Sequence, residues 1–306
     1  MSDGGPQASA ADDERAAAAA ALRAAPFGAY RVSGVGDAAR SVAAGAPQGF
    51  LGKQARSIAF RIAKGKERTP RDVVVFGDQR ARLHPYDNVC EKRVYCAPQL
   101  WDPAERAAIA ALAKNSRYAD LIFLDVGANV GLYTLFARSA AMAAGKTFRA
   151  ACVEPARTVR ERLRVNLEAS GAADEVAVFA WAATSAPCEV ALMTTARNRG
   201  ETRVAEADET PADDAERVPG RPLTEVIAAA GSPRVDAMKI DVEGHELEAF
   251  KGLFEAGDPA TFPALIVMEQ KRGGPDAALD YILQQGYRVD LSTKMNVVLK
   301  RTEEAT

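Results

Sequence analysis

An acidic residue and two glycines mark the first segment suited to ligand chemistry, Asp125-Val-Gly-Ala-Asn-Val-Gly-Leu-Tyr-Thr. The segment follows a strand-like run and leads into a helix-like pattern, and glycines at such a turn let a ligand approach the backbone. A dinucleotide site would have a glycine in place of Asn129, and the Asp125 carboxylate would repel a phosphate. The spacing of Gly127 and Gly131 therefore favours a ligand with a cationic amine and no phosphate, of which S-adenosylmethionine is one.

A second acid, Glu154, stands at the end of the next strand-like run, 23 residues after Gly131. Nucleotide sites in α/β folds place a carboxylate there to bind ribose hydroxyls. We expect Glu154 to accept hydrogen bonds from a ribose, although this feature alone does not separate S-adenosylmethionine from NAD. Asp125 and Glu154 could instead only cap the helices that follow them.

A third group, Asp241, Glu243 and His245, follows another strand-like run that contains Lys239. Alternation in an extended segment would point the three side chains the same way, at the strand ends where α/β folds bind ligands. Histidine is suited to take a proton from a hydroxyl near neutral pH, and Asp241 could orient it or act as the base itself. His245 could also be a helix N-terminal residue that only bonds its neighbours.

A metal site is the less favoured interpretation of these acids. Oxygens of Asp241, Glu243 and Glu269 at neighbouring strand ends could hold Mg²⁺ and lower the pKa of a hydroxyl. An ion pair with Lys239 would neutralise one of the acids, so we predict a site without a metal. Tyr133 could line the cofactor pocket or belong to the core.

Strands that alternate with helices from residue 103 onward predict a mostly parallel α/β sheet. Apolar stripes predict helices over 157–169 and 245–255. The predicted strands are 121–126, 148–153, 176–181, 235–240, 265–269, 287–291 and 295–299. The acidic composition of 196–219 predicts a solvated loop insertion, which could act as a lid.

The chain before residue 103 divides into two parts. Residues 1–48 are rich in alanine, which predicts partial disorder with one helix over 12–25. Residues 49–102 predict a basic helix and short antiparallel strands at 72–76, 80–84 and 89–95. Residues 50–71 could contact an anionic membrane surface or dock on their own domain. Residues 103–306 form the third predicted unit.

Charge and composition limit the kinds of partner and the cellular compartment that we expect for the protein. A formal charge of −2 gives no basic excess for nucleic acid, and no apolar run is long enough to span a membrane. An acidic N-terminus is unlike a secretory signal and predicts a cytoplasmic protein, with its four cysteines as thiols. The alanine- and arginine-rich composition is typical of a bacterial protein. Oligomeric state is not predicted.

Three motifs occur in this order: the glycine turn, Val153-Glu154-Pro155 with Asn166, and Lys239-Ile-Asp-Val-Glu-Gly-His-Glu246. Together they resemble the FkbM-type methyltransferases over about residues 123–269. The resemblance implies the class I methyltransferase fold, Rossmann-like, with a seven-stranded, mostly parallel sheet and helices on both faces. It implies S-adenosylmethionine as cofactor and methylation of a hydroxyl on a sugar, glycan or natural product. The implied residues are Asp125, Gly127, Asn129, Gly131 and Glu154 for the cofactor, and Asp241, Glu243 and His245 near the methyl group.

Two other functions stay open on the same fold. A non-catalytic nucleoside-binding or scaffolding protein would keep the turn and lose the base. An NAD-dependent oxidoreductase would need the missing middle glycine, so it is the weaker alternative.

Overall fold

The computed structural model describes residues 17, 20–21, 24–32, 34–47, 49–64, 69–194, 202–204, 215–270 and 274–302 of the 306-residue chain. Most of the helix predicted over 12–25 and most of the acidic loop at 196–219 lie outside these residues. The two parts of that loop that the structure describes within strands are 202–204 and 217–219.

In residues 34–47, 49–64 and 69–102, the N-terminal part forms two α-helices, a β-hairpin and a third α-helix. Its elements are α1 (Gly34–Gly45), α2 (Phe50–Lys64), β1 (Arg71–Val75), β2 (Gln79–Leu83) and α3 (Val89–Cys96). Strands β1 and β2 pair antiparallel, with Arg71 opposite Leu83, which confirms that part of the prediction.

The strand predicted over 89–95 is wrong, because these residues form helix α3. Asn88 precedes the helix in an extended conformation, and its side-chain oxygen accepts a hydrogen bond from the backbone N–H of Glu91. An N-cap of this kind stabilises the first turn of a helix. Burial of Glu91, Val94 and Tyr95 on one side at helical spacing completes the element.

The remaining chain alternates strands and helices. In order, its elements are α4 (Pro103–Asn115), β3 (Asp120–Val126), α5 (Leu132–Ala143), β4 (Thr147–Val153), α6 (Arg157–Ala169), β5 (Val176–Phe179), β6 (Ala182–Ala183), β7 (Cys188–Thr194), β8 (Thr202–Val204), β9 (Arg217–Arg221), α7 (Leu223–Ala229), β10 (Ala237–Ile240), α8 (Glu246–Phe254), β11 (Leu265–Glu269), α9 (Ala277–Gln284), β12 (Tyr287–Ser292) and β13 (Asn296–Arg301).

Seven strands form the main sheet, in the order β12-β13-β11-β10-β3-β4-β5. The pairs from β11 to β5 are parallel, and β13 runs antiparallel to both β11 and β12. All seven predicted strands are present, and the predicted seven-stranded, mostly parallel α/β fold is confirmed. Strands β6, β9, β7 and β8 form a separate small sheet.

Alternate residues of each central strand serve different layers. In β3, Leu121 and Phe123 pack into the core under α4, α5 and α6, whereas Leu124 and Val126 pack into the core under α7, α8 and α9. Burial on both faces is why the parallel strands read as continuous apolar runs. The first core continues into the N-terminal part, where it includes Tyr95.

Among the helices in the described residues, none is long and apolar enough to cross a membrane.

Candidate active site

The carboxyl ends of strands β3, β4, β10 and β11 open into a cavity of about 220 Å³. Parallel α/β sheets bind ligands at this edge because their loops gather there. The cavity is lined by seven of the eight predicted site residues, namely Asp125, Gly127, Asn129, Glu154, Asp241, Glu243 and His245. The eighth, Gly131, is not part of the lining.

The two glycines of the turn are required by crowding inside the protein. Gly127 has φ +73°, and a Cβ there would lie 1.9 Å from the backbone oxygen of Asp241. Gly131 has φ +81°, and a Cβ there would lie 2.3 Å from Cδ1 of Leu163. The turn therefore packs closely against the end of β10 and against α6, which fixes the position of one cavity wall.

Asp125 is buried and connects β3 to helix α5. Its Oδ2 accepts hydrogen bonds from the backbone N–H of Thr134 at 3.1 Å and from its hydroxyl at 2.5 Å. Oδ1 has no hydrogen-bond partner among the described residues, and Asp125 lines the cavity. Burial raises the pKa of this carboxyl to about 7. Asp125 thus makes the helix contact that the capping alternative predicts and also contributes to the cavity wall.

Glu154 joins the two turns that follow β3 and β4. Its Oε2 accepts from the backbone N–H of Asn129, and its Oε1 accepts from that of Ala156, both at 2.9 Å. Burial raises the pKa of Glu154 to about 7. A carboxylate oxygen has two lone pairs, so each oxygen of Glu154 keeps one for a ligand in the cavity.

Asp241, Glu243 and Glu269 form a carboxylate cluster, with one oxygen of each within 4.8 Å of the others. Lys239 Nζ lies 3.4 Å from Asp241 Oδ2 and donates to the backbone oxygen of Ile240, which confirms the predicted ion pair. Burial, and then the charge of Asp241, raise the pKa of Glu269 to about 8. One lysine and one proton therefore compensate two of the three charges at neutral pH.

His245 stands at the N-cap position of α8, but its imidazole does not cap the helix. The described residues give the ring no hydrogen bond, although its charge is one of the smaller causes that lower the pKa of Glu248. The chain does not stay extended here, because Glu243 and Gly244 have φ +53° and +101°. Glu246 Oε1 accepts from the backbone N–H of Val242 at 3.1 Å and holds this turn.

The N-terminal part supplies a wall that the motifs did not predict. It contributes Asn88, Val89, Cys90, Arg93, Trp101 and Asp102. Asn88 Nδ2 donates to Asn129 Oδ1 at 2.9 Å, and Tyr133 donates its hydroxyl proton to Asp102 Oδ2 at 2.9 Å. The Trp101 and Tyr133 rings lie 4.7 Å apart. The available signal was the Asn-x-x-Glu spacing of Asn88 and Glu91, which is typical of a helix start.

A comparison with family models matches residues 125–289 to the methyltransferase FkbM domain. The chain belongs to this family. The matched range begins at Asp125 and includes all of the predicted site residues, whereas the wall formed by residues 88–102 precedes it.

Similar proteins include the AMB antimetabolite synthetase AmbE of Pseudomonas aeruginosa, which is 28% identical over 60% of this chain and 10% of its own length. The chain thus spans about a tenth of that relative. Among solved structures, the FkbM methyltransferase of Methylobacillus flagellatus is 16% identical, with a TM-score of 0.43 over 70% of this chain and 55% of its own. TrmK of M. capricolum, in complex with S-adenosylhomocysteine, is 8% identical, with a TM-score of 0.37 over 65% and 68%.

Proposed function

We propose that the protein is an S-adenosylmethionine-dependent methyltransferase that methylates a hydroxyl oxygen of a sugar, glycan or natural-product acceptor. The observation that carries the proposal is the shared cavity, in which Glu154 keeps free acceptor lone pairs and His245 presents an unbonded ring. The four free cysteines suit the reducing cytoplasm in which we propose that it acts.

The chemistry of the donor set fits this cofactor. Glu154 would accept hydrogen bonds from the two ribose hydroxyls, and Asp125 and Asp241 would attract the cationic amine and sulfonium. Lys239 is the only lysine in the cavity lining that the structure describes, and its contacts with Asp241 and Ile240 occupy it. Arg93 is the other cation of that lining and belongs to the facing wall, whereas the carboxylates Asp125 and Glu154 line the side of the glycine turn, which favours a phosphate-free nucleoside.

The cofactor, when bound, supplies an electrophilic methyl carbon. His245 takes the proton of the acceptor hydroxyl onto an imidazole nitrogen, which makes the oxygen a better nucleophile. Asp241, at the carboxyl end of β10, stabilises the imidazolium that results, and Lys239 holds the Asp241 carboxylate through their ion pair. Residues 88–102 close the opposite side and hold the acceptor, because correct placement of two reactants contributes much of such a rate.

Calorimetry with S-adenosylhomocysteine tests the cofactor site. Glu154→Gln and Asp125→Asn should each weaken binding by roughly tenfold to hundredfold, because hydrogen bonds to charged groups contribute about 1.5–3 kcal/mol. Asp120→Asn, at the opposite end of β3, is the matched control and should bind normally. Unchanged affinity in both cavity variants would refute the site.

Mass spectrometry of cell extract incubated with the protein and isotope-labelled cofactor tests the transfer. One small molecule or glycan should gain the labelled methyl, and His245→Ala should reduce the rate by roughly 10²–10⁴-fold with cofactor affinity preserved. If His245→Ala, Asp241→Asn and Glu243→Gln all transfer normally, the catalytic assignment is wrong. Cofactor binding without any labelled product would indicate a non-catalytic binding protein.

A further inference from the structure

Helices α1 and α2 carry a surface, here called the hairpin face, that takes no part in the cavity. It consists of exposed apolar residues with two exposed basic residues beside them, namely Val35, Val42, Phe50, Leu51, Ile58, Ile62, Lys53 and Arg61. Six of the twelve large apolar side chains exposed in the described residues belong to it. Apolar side chains concentrated in this way usually mark an interaction site.

The two helices bury their small residues and expose their large ones. Helix α2 turns Gly52, Ala59 and Ala63 inward, and a Cβ at Gly52 would lie 1.6 Å from the backbone oxygen of Pro47. Leu51, on the outer side, is 80% exposed and Phe50 is 74% exposed. A helix on a globular core normally has the opposite pattern.

Helix α1 shows the same pattern of buried small residues and exposed large ones. Its buried residues are Gly36, Ala39 and Ala43, whereas Val35 and Val42, seven residues apart and so on one side, are exposed. In α2, Leu51, Ile58 and Ile62 recur at intervals of seven and four and form one apolar line. Since these apolar side chains project outward from the two helices, they are available to contact another molecule or a membrane.

The charge of α2 indicates which kind of partner this surface would bind. The helix contains Lys53, Arg56, Arg61 and Lys64 and no acidic residue. Arg56 donates to the backbone oxygens of Ala46 and Pro47, but Lys53 and Arg61 are exposed and have no acidic partner among the residues that the structure describes. A second copy of the face would bring like charges together, which disfavours self-association.

We propose that the hairpin face binds the surface of an anionic phospholipid membrane. Phe50, Leu51, Ile58 and Ile62 enter the boundary between headgroups and acyl chains, and Lys53 and Arg61 contact the anionic headgroups. This binding is additional to methyl transfer and does not depend on the identity of the cofactor or acceptor.

Co-sedimentation of the full chain with vesicles tests the proposal. The chain should bind vesicles of phosphatidylcholine with phosphatidylglycerol, bind phosphatidylcholine alone much more weakly, and release as salt increases. Lys53→Gln with Arg61→Gln should weaken binding about 30-fold, since each basic residue contributes about 1 kcal/mol. Leu51→Gln with Ile58→Gln should weaken it at least about tenfold. Leu283→Gln, an exposed apolar residue of α9, should bind normally.

Circular dichroism of each variant should match the original chain, since all five positions are exposed. Absence of binding to anionic vesicles would overturn the proposal, as would equal binding to neutral vesicles or binding that none of the variants alters. Sedimentation of a dimer that Leu51→Gln with Ile58→Gln converts to a monomer would also overturn it, and would assign the face to a second copy.

Discussion

Asp125 and Glu154 serve the fold and the cavity at once. Each accepts backbone hydrogen bonds that fix the start of a helix or the adjoining turn, and each lines the cavity with acceptor capacity remaining. Burial disfavours the charged form of each carboxyl and outweighs the hydrogen bonds and the nearby cations that oppose it, which is why both pKa values are raised to about 7. Ligand binding and protonation therefore compete at these two groups.

The affinity for S-adenosylhomocysteine should rise as the pH increases from about 6 to about 8. Both carboxyls accept hydrogen bonds best when ionised, and below a pKa of about 7 the ionised fraction of each falls about tenfold per pH unit. Calorimetry across this range checks the prediction. Glu154→Gln should bind more weakly and show a shallower pH dependence, and a flat profile in the original chain would contradict the argument.

Seven of the eight site residues predicted from sequence spacing line the cavity, but the spacing did not explain why the glycines are needed. A strand end followed by an acid was enough to place Asp125, Glu154 and Asp241 at one edge, because parallel strands share a direction. From the sequence, the glycines are predicted to let a ligand approach the backbone. In the structure, Gly127 is instead required because the Asp241 backbone, 114 residues away in sequence, leaves no room for a Cβ. Asn88 and Trp101 were missed because no spacing rule relates them to the strands they face.

At the level of elements, the glycine turn should tolerate no side chain at Gly127. Gly127→Ala adds a Cβ that would meet a backbone oxygen at 1.9 Å and also strains φ +73°, so we expect it to lower the free energy of unfolding by at least about 2 kcal/mol. Gly145→Ala is the control, because its φ is +70° and nothing lies within 4 Å. Urea denaturation of both variants separates the effect of the steric clash from that of backbone strain. If both variants lose the same free energy of unfolding, the proposed clash at Gly127 is wrong.

Helix α3 shows why one element was predicted wrongly. The run Val-Cys-Glu-Lys-Arg-Val-Tyr-Cys is short and combines β-branched and aromatic residues, which favour strands. Its helical state depends on the Asn88 cap and on Glu91, whose Oε1 lies 3.2 Å from Arg162 Nη1 of α6. Such a long-range contact overrides local propensity and cannot be read from the segment alone.

Asn88→Ala should affect both stability and the cavity. It removes the cap of α3 and the hydrogen bond to Asn129, so we expect a loss of about 1–2 kcal/mol in the free energy of unfolding and a lower affinity for S-adenosylhomocysteine. Asp276→Ala removes the cap of α9, which lies outside the cavity lining, and is the matched control. If both variants lose stability equally and bind normally, Asn88 has no positioning role.

For the molecule as a whole, the sheet was predictable and the N-terminal contacts were not. Continuous apolar runs indicate strands that are buried on both faces of a sheet, and apolar residues with a period of 3.6 indicate the helices that cover it. Together these two patterns specify the layers of the fold. The N-terminal part shares the first hydrophobic core, and specific polar contacts add to this packing. Asn166 Oδ1 accepts from the backbone N–H of Arg82, and Asn166 Nδ2 donates to the oxygen of Val130. No pattern within residues 49–102 indicates these partners.

The free energy of unfolding without ligand should fall as the pH rises from about 5 to about 8. Burial raises the pKa of Glu91, Asp125 and Glu154 to about 7, so the folded state binds more protons than the unfolded state across this window. Each group then removes up to about 1.4 kcal/mol per pH unit between its unfolded and folded pKa values. Urea denaturation at several pH values checks the sign, and Glu91→Gln should reduce the slope. Stability that increases with pH would contradict it.

The two sides of the cavity come from different stretches of the chain. Carboxylates on one side lie in the range shared with other members, residues 125–289, whereas Asn88, Arg93 and Trp101 on the facing side precede it. Asp125, Glu154 and Asp241 lie outside the preceding segment, so its sequence can change without replacing them. Under the proposed function, we therefore expect exchange of residues 89–102, with Asn88 kept for its bond to Asn129, to change the acceptor that is methylated.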